Sequence, residues 1–124
     1  MGLLMQMAGQ VALFSYGTLR QPEVQLATYG RLVETEADAL TGHVLTKIVV
    51  DDPHVVSVSG KTIHTIAQPT RNAEDRIEGV VLFLTEEELR ATDDYETDAY
   101  ARTEVALESG RRAFVYVDAS TVAR

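Results

Sequence analysis

Cysteine is absent from this 124-residue sequence. Its absence excludes disulfide bonds, thiolate nucleophiles and sulfur-ligated metal sites, and it fits a reducing compartment. Basic residues are also scarce, since 11 Lys and Arg stand against 19 Asp and Glu and give a net charge of −8. The phosphate backbone of a nucleic acid repels such a surface, and no Lys/Arg cluster offsets the repulsion. We therefore expect no nucleic-acid partner.

Long apolar runs and low-complexity tracts are missing as well. No segment approaches the length that spans a bilayer, and residues 1–8 lack the basic start and the length of a signal peptide. The hydrophobic content of 45% is typical of a folded globular protein. We expect one cytoplasmic domain over residues 1–124 without membrane contact, its core spanning about 11–118 between loose tails at 1–9 and 119–124. No pattern indicates the oligomeric state.

Short strand signals dominate the chain. Apolar or β-branched segments predict strands at residues 11–14, 32–35, 37–50, 55–58, 62–67, 77–84, 103–107 and 113–117. One helix begins at Pro22 and ends at Gly30; another begins at Thr85, with Glu88 in the capping-box position, and ends near Tyr95. Because strands do not alternate with long helices, we do not expect a parallel βαβ sheet. The predicted fold class is α+β, a small, mostly antiparallel β-barrel-like sheet with short helices on its rim.

The first candidate site lies where strand 11–14 ends. Tyr16, Gly17, Thr18 and Leu19 follow this apolar strand directly, before Pro22 fixes the next turn. A buried strand that stops at a glycine leaves backbone N–H groups free, and such groups hold small anions such as a carboxylate. The alternative is an ordinary glycine turn at a strand end.

The second candidate site lies in residues 93–102, between the capped helix and the next strand. Tyr95 and Tyr100 flank Glu96 there. A carboxyl group held by aromatic rings has a raised pKa and is suited to act as a base. The alternative is a solvated, acidic helix end. Tyr100 is interpreted either as a pocket wall or hydrogen-bond donor or as a core tyrosine, and Arg102 as the partner of a nearby acid.

Three histidines invite a metal interpretation. His43, His54 and His64 are spread over predicted hairpins without a short ligand spacing, and no acidic motif matches them. We expect ordinary sheet histidines, and no metal or cofactor. Tyr116 lies in the last predicted strand, where it either lines a cavity or belongs to the core.

Five segments, in order along the chain, resemble the motifs of one family. They are Tyr16-Gly17-Thr18-Leu19, residues 40–45, residues 77–84, Asp93-Asp94-Tyr95-Glu96 with Tyr100 and Arg102, and residues 113–117. Each segment is weak alone, but five in this order are specific. Over residues 11–118 the sequence resembles the γ-glutamylcyclotransferase-like (AIG2-like) family.

The resemblance implies a β-barrel-like α+β fold with a cavity. It implies an activity that cyclises the γ-glutamyl group of a γ-glutamylamine or γ-glutamyl peptide to 5-oxoproline and releases the amine. Glu96 matches the family's general acid/base, and the backbone of residues 16–19 matches the loop that holds the glutamyl group, with Tyr100 as a further substrate-binding residue. The implied partner is a small-molecule γ-glutamyl substrate, and no cofactor is required.

Two departures from the family pattern leave the released amine open. Thr97 stands where many members have glycine, and residues 52–54 lack the Gly-Tyr-Pro-like segment that helps to shape the cavity in relatives. Two other functions compete with the enzyme. One is a binding module that uses the same cavity without turnover. The other is an interaction protein that uses an acidic face, which requires Glu96 to be exposed on a convex surface.

Overall fold

The computed structural model describes residues 10–49, 63–96 and 99–121. Within these ranges the chain forms seven strands and two helices. In chain order they are β1 (Gln10–Ser15), α1 (Pro22–Tyr29), β2 (Thr35–Thr41), β3 (His43–Val49), β4 (Ile63–Pro69), β5 (Arg76–Thr85), α2 (Glu86–Tyr95), β6 (Tyr100–Ala106) and β7 (Arg112–Asp118). Two short 3₁₀ turns lie at Thr18–Arg20 and Ala119–Thr121.

The strands form one mostly antiparallel sheet, as the sequence predicts. The strand order is β2-β5-β1-β7-β4-β3, and β6 pairs with β7 along its whole length. Two parallel contacts complete the sheet, Leu13 with Phe114 between β1 and β7, and Ala67 with Val117 between β4 and β7. Since β6 occupies one edge of β7, β1 and β4 share the other edge, one after the other. The sheet therefore splits beyond the end of β1.

The α+β class is confirmed, but the curl of the sheet stops short of a closed barrel. Among the described strands, β2 and β3 end the path of paired strands. One backbone hydrogen bond, from Glu108 N to Ala39 O at 2.9 Å, links the β6–β7 turn to β2. Ser109 Oγ also donates to the Asp38 carboxylate at 2.6 Å. These contacts bring β2 close to the β6–β7 turn, but β2 does not pair with β6 as a neighbouring strand.

Alternating side chains of β1 place the core on both faces of the sheet. Phe14 packs in a cluster on one face with Leu40, Ile77 and Val115, whereas Leu13 packs on the other face. The second cluster receives side chains from both helices, Val24 of α1 and Tyr95 of α2 among them. Both helices thus cover one face, and their ends come close to the end of β1.

The first helix is bounded as its sequence predicts. Pro22 occupies the first turn, where the missing N–H costs nothing, and Gly30 ends the helix at φ 73°. The predicted strand at residues 32–35 is wrong except for Thr35. Val33 N donates to the buried Gln25 side chain at 3.1 Å instead of to a neighbouring strand. The predicted strand at 55–58 lies outside the described residues.

The second helix begins at the predicted capping box. Thr85 Oγ1 accepts from Glu88 N at 3.1 Å, and the Glu88 carboxylate accepts from Thr85 N at 2.9 Å. We expect Thr85→Ala to lower the free energy of unfolding by about 1 kcal/mol, because the N–H of Glu88 loses its acceptor. Thermal unfolding measures this change, and an unaltered melting temperature would contradict the role of the cap.

Candidate functional site

A cavity of about 570 Å³ opens where β1 ends. It collects the end of β1 and the loop after it, the C-terminal end of α2, and single residues from β3, β4, β6 and β7. The lining residues are Phe14, Ser15, Tyr16, Gly17, Thr18, Leu19, Arg20, Gln21, Pro22, Leu45, Thr65, Tyr95, Glu96, Tyr100 and Tyr116. Both stretches singled out in the sequence therefore meet in one cavity, although they lie about eighty residues apart in the chain.

The loop at residues 16–19 is held from both sides. Gln25, itself buried, donates from Nε2 to Leu19 O at 2.9 Å, and the Leu19 side chain lies in the core. Arg20 Nε donates to Gly17 O at 3.1 Å. The N–H groups of Thr18 and Leu19 stand at the start of the 3₁₀ turn, where no preceding carbonyl of that turn accepts from them. The loop is therefore anchored by side chains on both sides, and its amide groups lie beside the cavity.

A glycine in β5 lets the end of β1 approach closely. A Cβ atom on Gly79 would lie 2.4 Å from Ser15 O and 2.7 Å from the Phe14 ring. Gly17 is different, because a Cβ atom there would meet nothing within 4 Å. Gly79 is thus required for packing, whereas Gly17 leaves space open in the loop.

Tyr16 closes the gap where the sheet splits. Its hydroxyl donates to Tyr116 O at 2.6 Å and accepts from Ala67 N at 3.0 Å. The phenol oxygen thereby joins the main chains of β7 and β4 at the point that β1 no longer reaches. The Tyr16 side chain is a structural bridge, and only its backbone and ring remain to face a ligand.

Glu96 caps the C-terminal end of α2, with its backbone N–H bonded to Thr92 O at 3.0 Å. Its carboxyl group faces the cavity and makes no hydrogen bond within the described ranges of the chain. Burial, reinforced by the nearby charge of Asp93, raises the pKa of Glu96 to about 8. This position on the cavity wall removes the convex exposure that the interaction-protein hypothesis requires.

Asp93 is a fixed negative charge beside Glu96. Burial opposes its ionisation, but hydrogen bonds from Arg102 and Tyr116 outweigh burial and lower the pKa of Asp93. Arg102 binds both carboxylate oxygens, at 2.8 and 3.0 Å, and stacks 4.8 Å from the centre of the Phe114 ring. Arg102 thus pairs with a nearby acid, as its sequence context predicts.

The hydroxyl groups of the other tyrosines in the cavity form hydrogen bonds to neighbouring strands, to α2 and to the loop. Tyr100 donates from its hydroxyl to Thr65 O at 3.0 Å, and Tyr116 donates to Asp93 at 2.5 Å. The hydroxyls of Tyr95 and Thr18 are 2.7 Å apart and join α2 to the loop. Tyr100 and Tyr116 both line the cavity, and Tyr116 is at the same time part of the core.

Metal ligation has no support among the described residues. They contain no group of three or more His, Asp or Glu side chains close enough to hold an ion. His43 Nδ1 lies 2.8 Å from Thr41 O. His54 lies outside the described residues, as does the side chain of His64. In the same described ranges, no helix has the length and apolar character needed to cross a membrane.

Several residues of the site carry no signal of their own in the sequence. Gln25 anchors the loop from α1, and Leu45 and Thr65 line the cavity from β3 and β4. Only their place in the fold identifies them. Asp93 has one local signal, because residues three apart near a helix end lie on the same face and Asp93 precedes Glu96 by three.

Fold and site together define a small α+β protein whose pocket combines the Glu96 carboxyl group, which has no hydrogen bond within the described ranges, with the backbone of the loop at residues 16–19. A family model described as gamma-glutamyl cyclotransferase, AIG2-like matches residues 13–123. The chain belongs to this family, which confirms the resemblance seen in its motifs. No curated protein matches the sequence.

Solved structures share the fold at low sequence identity. A protein from Arabidopsis thaliana is 19% identical with a TM-score of 0.67, and the match covers 93% of this chain and 72% of that one. An uncharacterized protein from Pyrococcus horikoshii is 18% identical with a TM-score of 0.59, over 91% and 81%. A structure named gamma-glutamyl cyclotransferase is 13% identical with a TM-score of 0.65, over 88% and 66%. At these identities the likeness is one of fold.

Proposed function

We propose that this protein is a γ-glutamylamine or γ-glutamyl-peptide cyclotransferase in which Glu96 is the general acid/base. The observation that carries the proposal is the carboxyl group of Glu96, which faces a cavity edged by the loop at residues 16–19 and makes no hydrogen bond in the described chain. Membership in the gamma-glutamyl cyclotransferase, AIG2-like family supports the same reaction.

The proposed reaction requires few functional groups from the protein. A γ-glutamyl group carries its α-amine and its γ-carbonyl in one molecule, and attack of one on the other closes a five-membered lactam. Holding the folded conformer supplies an effective molarity on the order of 10⁵ M or more. A cavity that bends the substrate and moves protons is sufficient.

Glu96 carries the protons in this mechanism. Its carboxylate takes one proton from the α-ammonium group, and the free amine attacks the γ-carbonyl to form the C–N bond of the ring. The resulting carboxylic acid then protonates the leaving nitrogen. The tetrahedral intermediate collapses, the bond to the leaving nitrogen breaks, and the ring nitrogen gives its extra proton to solvent. The products are 5-oxoproline and the free amine.

The substrate needs hydrogen-bond donors from the protein at two positions. The α-carboxylate of the substrate needs donors throughout, and the γ-carbonyl oxygen needs them as it becomes an oxyanion. Among the described lining residues, the N–H groups of Thr18 and Leu19 fit the first position because they are fixed at the start of the 3₁₀ turn. Backbone donors held in place need no reorganisation during the reaction.

The decisive experiment measures 5-oxoproline release from a panel of γ-glutamyl amines, γ-glutamyl amino acids and γ-glutamyl-ε-lysine. We expect wild-type protein to turn over at least one member and Glu96→Gln to lose that activity. Calorimetry on the same panel separates the alternative, since tight binding without lactam formation over hours would assign the cavity to a binding module. Full activity of Glu96→Gln would refute the role of Glu96.

The rate should depend on pH through Glu96. Because the carboxyl group must be ionised to accept a proton and its pKa is about 8, kcat/KM is expected to rise with pH to a midpoint near that value. Asp93→Asn removes the neighbouring negative charge and should shift the midpoint to lower pH. Asp94→Asn, at an exposed neighbouring position, is the matched control. The ammonium group of the free substrate titrates identically in every variant. Equal shifts of the midpoint in Asp93→Asn and Asp94→Asn would therefore contradict the effect of Asp93 on the pKa of Glu96.

A further inference from the structure

Arg20 is the only Lys or Arg residue among the described residues that line the cavity. It follows the loop at residues 16–19 directly and ends the short 3₁₀ turn. Apart from Glu96, the other described lining residues carry no charge at neutral pH. In a protein with a net charge of −8, this guanidinium group is a local exception. It gives the cavity one group that attracts an anion.

The guanidinium group of Arg20 is held in place by one nitrogen. Its Nε donates to Gly17 O at 3.1 Å. Within the described ranges no carboxylate pairs with Arg20, whereas Arg31 and Arg102 each bind one. The Nη1 and Nη2 groups of Arg20 therefore remain free of hydrogen bonds to the described chain, and together they match the two oxygens of a carboxylate. Because the Nε bond already fixes the side chain, less conformational entropy is lost when a ligand binds.

The exposure of the loop residues indicates which end of a substrate would meet Arg20. Thr18 is half-buried, and its hydroxyl lies 2.7 Å from the hydroxyl of Tyr95, the residue before Glu96. Arg20 is exposed, so its guanidinium group lies where the cavity opens to solvent. In the proposed reaction the glutamyl group lies inside, beside Glu96, and the departing part extends towards the opening. Arg20 is thus placed for the departing part.

We propose that the Arg20 guanidinium group binds a carboxylate on the departing part of the substrate, so that γ-glutamyl amino acids are preferred over γ-glutamylamines. The assignment rests on the proposed function and narrows its substrate class. A departing amino acid carries a carboxylate that a simple amine lacks, and a polyamine carries a further cation that Arg20 repels. Arg20 is a specificity-determining residue and takes no part in the proton transfers, which remain with Glu96.

Two pairs of ligands that differ only in this carboxylate test the proposal. One pair is γ-glutamyl-alanine and γ-glutamyl-alaninamide. The other is γ-glutamyl-6-aminohexanoate and its terminal amide, in which the group lies farther from the departing nitrogen. Binding is measured by calorimetry in the Glu96→Gln protein, where turnover does not interfere. We expect the carboxylate of at least one pair to bind about fivefold more tightly than its amide, the upper end of what an exposed ion pair contributes, and added salt to reduce this ratio.

Arg20→Gln in the same background should bring the affinity ratio close to one. Arg90→Gln is the matched control, because it removes the same charge from an exposed position that does not line the cavity, and the ratio should stay unchanged. All four ligands share the glutamyl group, so a general loss of glutamyl binding weakens both members of a pair alike. Equal affinities within both pairs, or a ratio that Arg20→Gln leaves unaltered, would overturn the proposal.

Product release separates the fate of this subsite from that of the enzyme. In an active enzyme, Arg20→Gln should raise KM for the carboxylate substrate by the same factor and leave kcat and the amide substrate unaffected. An Arg20-dependent affinity ratio in a protein that releases 5-oxoproline from none of the ligands would keep the subsite and reject the enzyme. Release of 5-oxoproline with equal KM changes for both members of a pair would keep the enzyme and reject the subsite.

Discussion

Replacing Glu96 with glutamine is expected to reduce 5-oxoproline release by about 10²- to 10⁴-fold, the range in which a general acid/base contributes. Glutamine keeps the shape of the side chain and cannot accept a proton from the ammonium group. The loss should fall on kcat, because the loop amides that we propose to hold the substrate are unchanged. Glu87→Gln, on the exposed side of the first turn of α2, is the control and should retain full rate.

The same substitution should also alter the pH dependence of stability. Burial raises the pKa of Glu96 from 4.5 to about 8, so the folded protein holds a proton that the unfolded chain releases at lower pH. The stability of the wild-type protein is therefore reduced as pH rises between these two values. The Glu96→Gln protein should not show this reduction, and the difference in the free energy of unfolding between it and the wild type should grow in its favour from pH 5 to pH 9. Parallel pH curves for both proteins would contradict the raised pKa.

Replacing Gly79 with alanine should lower the stability of the protein substantially. The new Cβ atom would stand 2.4 Å from Ser15 O, which is main chain and cannot rotate away. Overpacking of this kind costs about 1–3 kcal/mol, or a fall of roughly 5–15 °C in the melting temperature for a domain of this size. The end of β1 must also shift, so the loop that follows it is displaced and activity falls with stability.

Gly17→Ala supplies the contrasting case. Its φ of −127° is accessible to alanine, and the added methyl group meets nothing within 4 Å. The free energy of unfolding should change by less than about 0.5 kcal/mol. Because Gly17 lines the cavity, the methyl group takes up space beside the substrate, and KM should rise. Thermal unfolding and steady-state kinetics on both variants distinguish a packing glycine from a site glycine, and a stable, active Gly79→Ala would refute the packing argument.

The local elements were predictable because their signals are local. The capping box of Thr85 and Glu88, the proline start of α1 and its glycine end each depend on neighbours within one turn. The strand predicted at residues 32–35 failed for a reason that lies outside the segment, since Gln25 draws the backbone of Val33 to itself. The sharing of one edge of β7 by β1 and β4 is a long-range arrangement that no local pattern indicates.

The candidate site likewise has a part that local motifs predict and a part that depends on long-range contacts. Glu96 and the loop at residues 16–19 were predicted from motifs, and the structure brings them to one cavity. The hydrogen-bonding direction of Tyr100 depends on Thr65, thirty-five positions earlier, and the bridge made by Tyr16 depends on Ala67. The sequence indicates which hydroxyl groups are present, but only the fold determines which of them already donate a hydrogen bond within the protein.

The split in the sheet leaves the β3–β4 pair with one main-chain bridge to the other strands, although Ile66 and Ala67 are buried in the core. Ala67 of β4 pairs with Val117 of β7, Ala67 N donates to Tyr16 Oη, Thr65 O accepts from Tyr100, and Gln68 Nε2 donates to Asp118 at 2.7 Å. The loop at residues 16–19 thus follows a strand that is paired with β5 along its whole length, whereas Leu45 and Thr65 line the cavity from strands that meet the rest of the sheet at few points. Under the proposed function, we expect substitutions in β3 and β4 to change the preference for the departing amine while Glu96 and the loop at residues 16–19 stay in place. In the proposed enzyme, the residues that select the amine and the residue that moves protons would then belong to different strands and helices of one small domain.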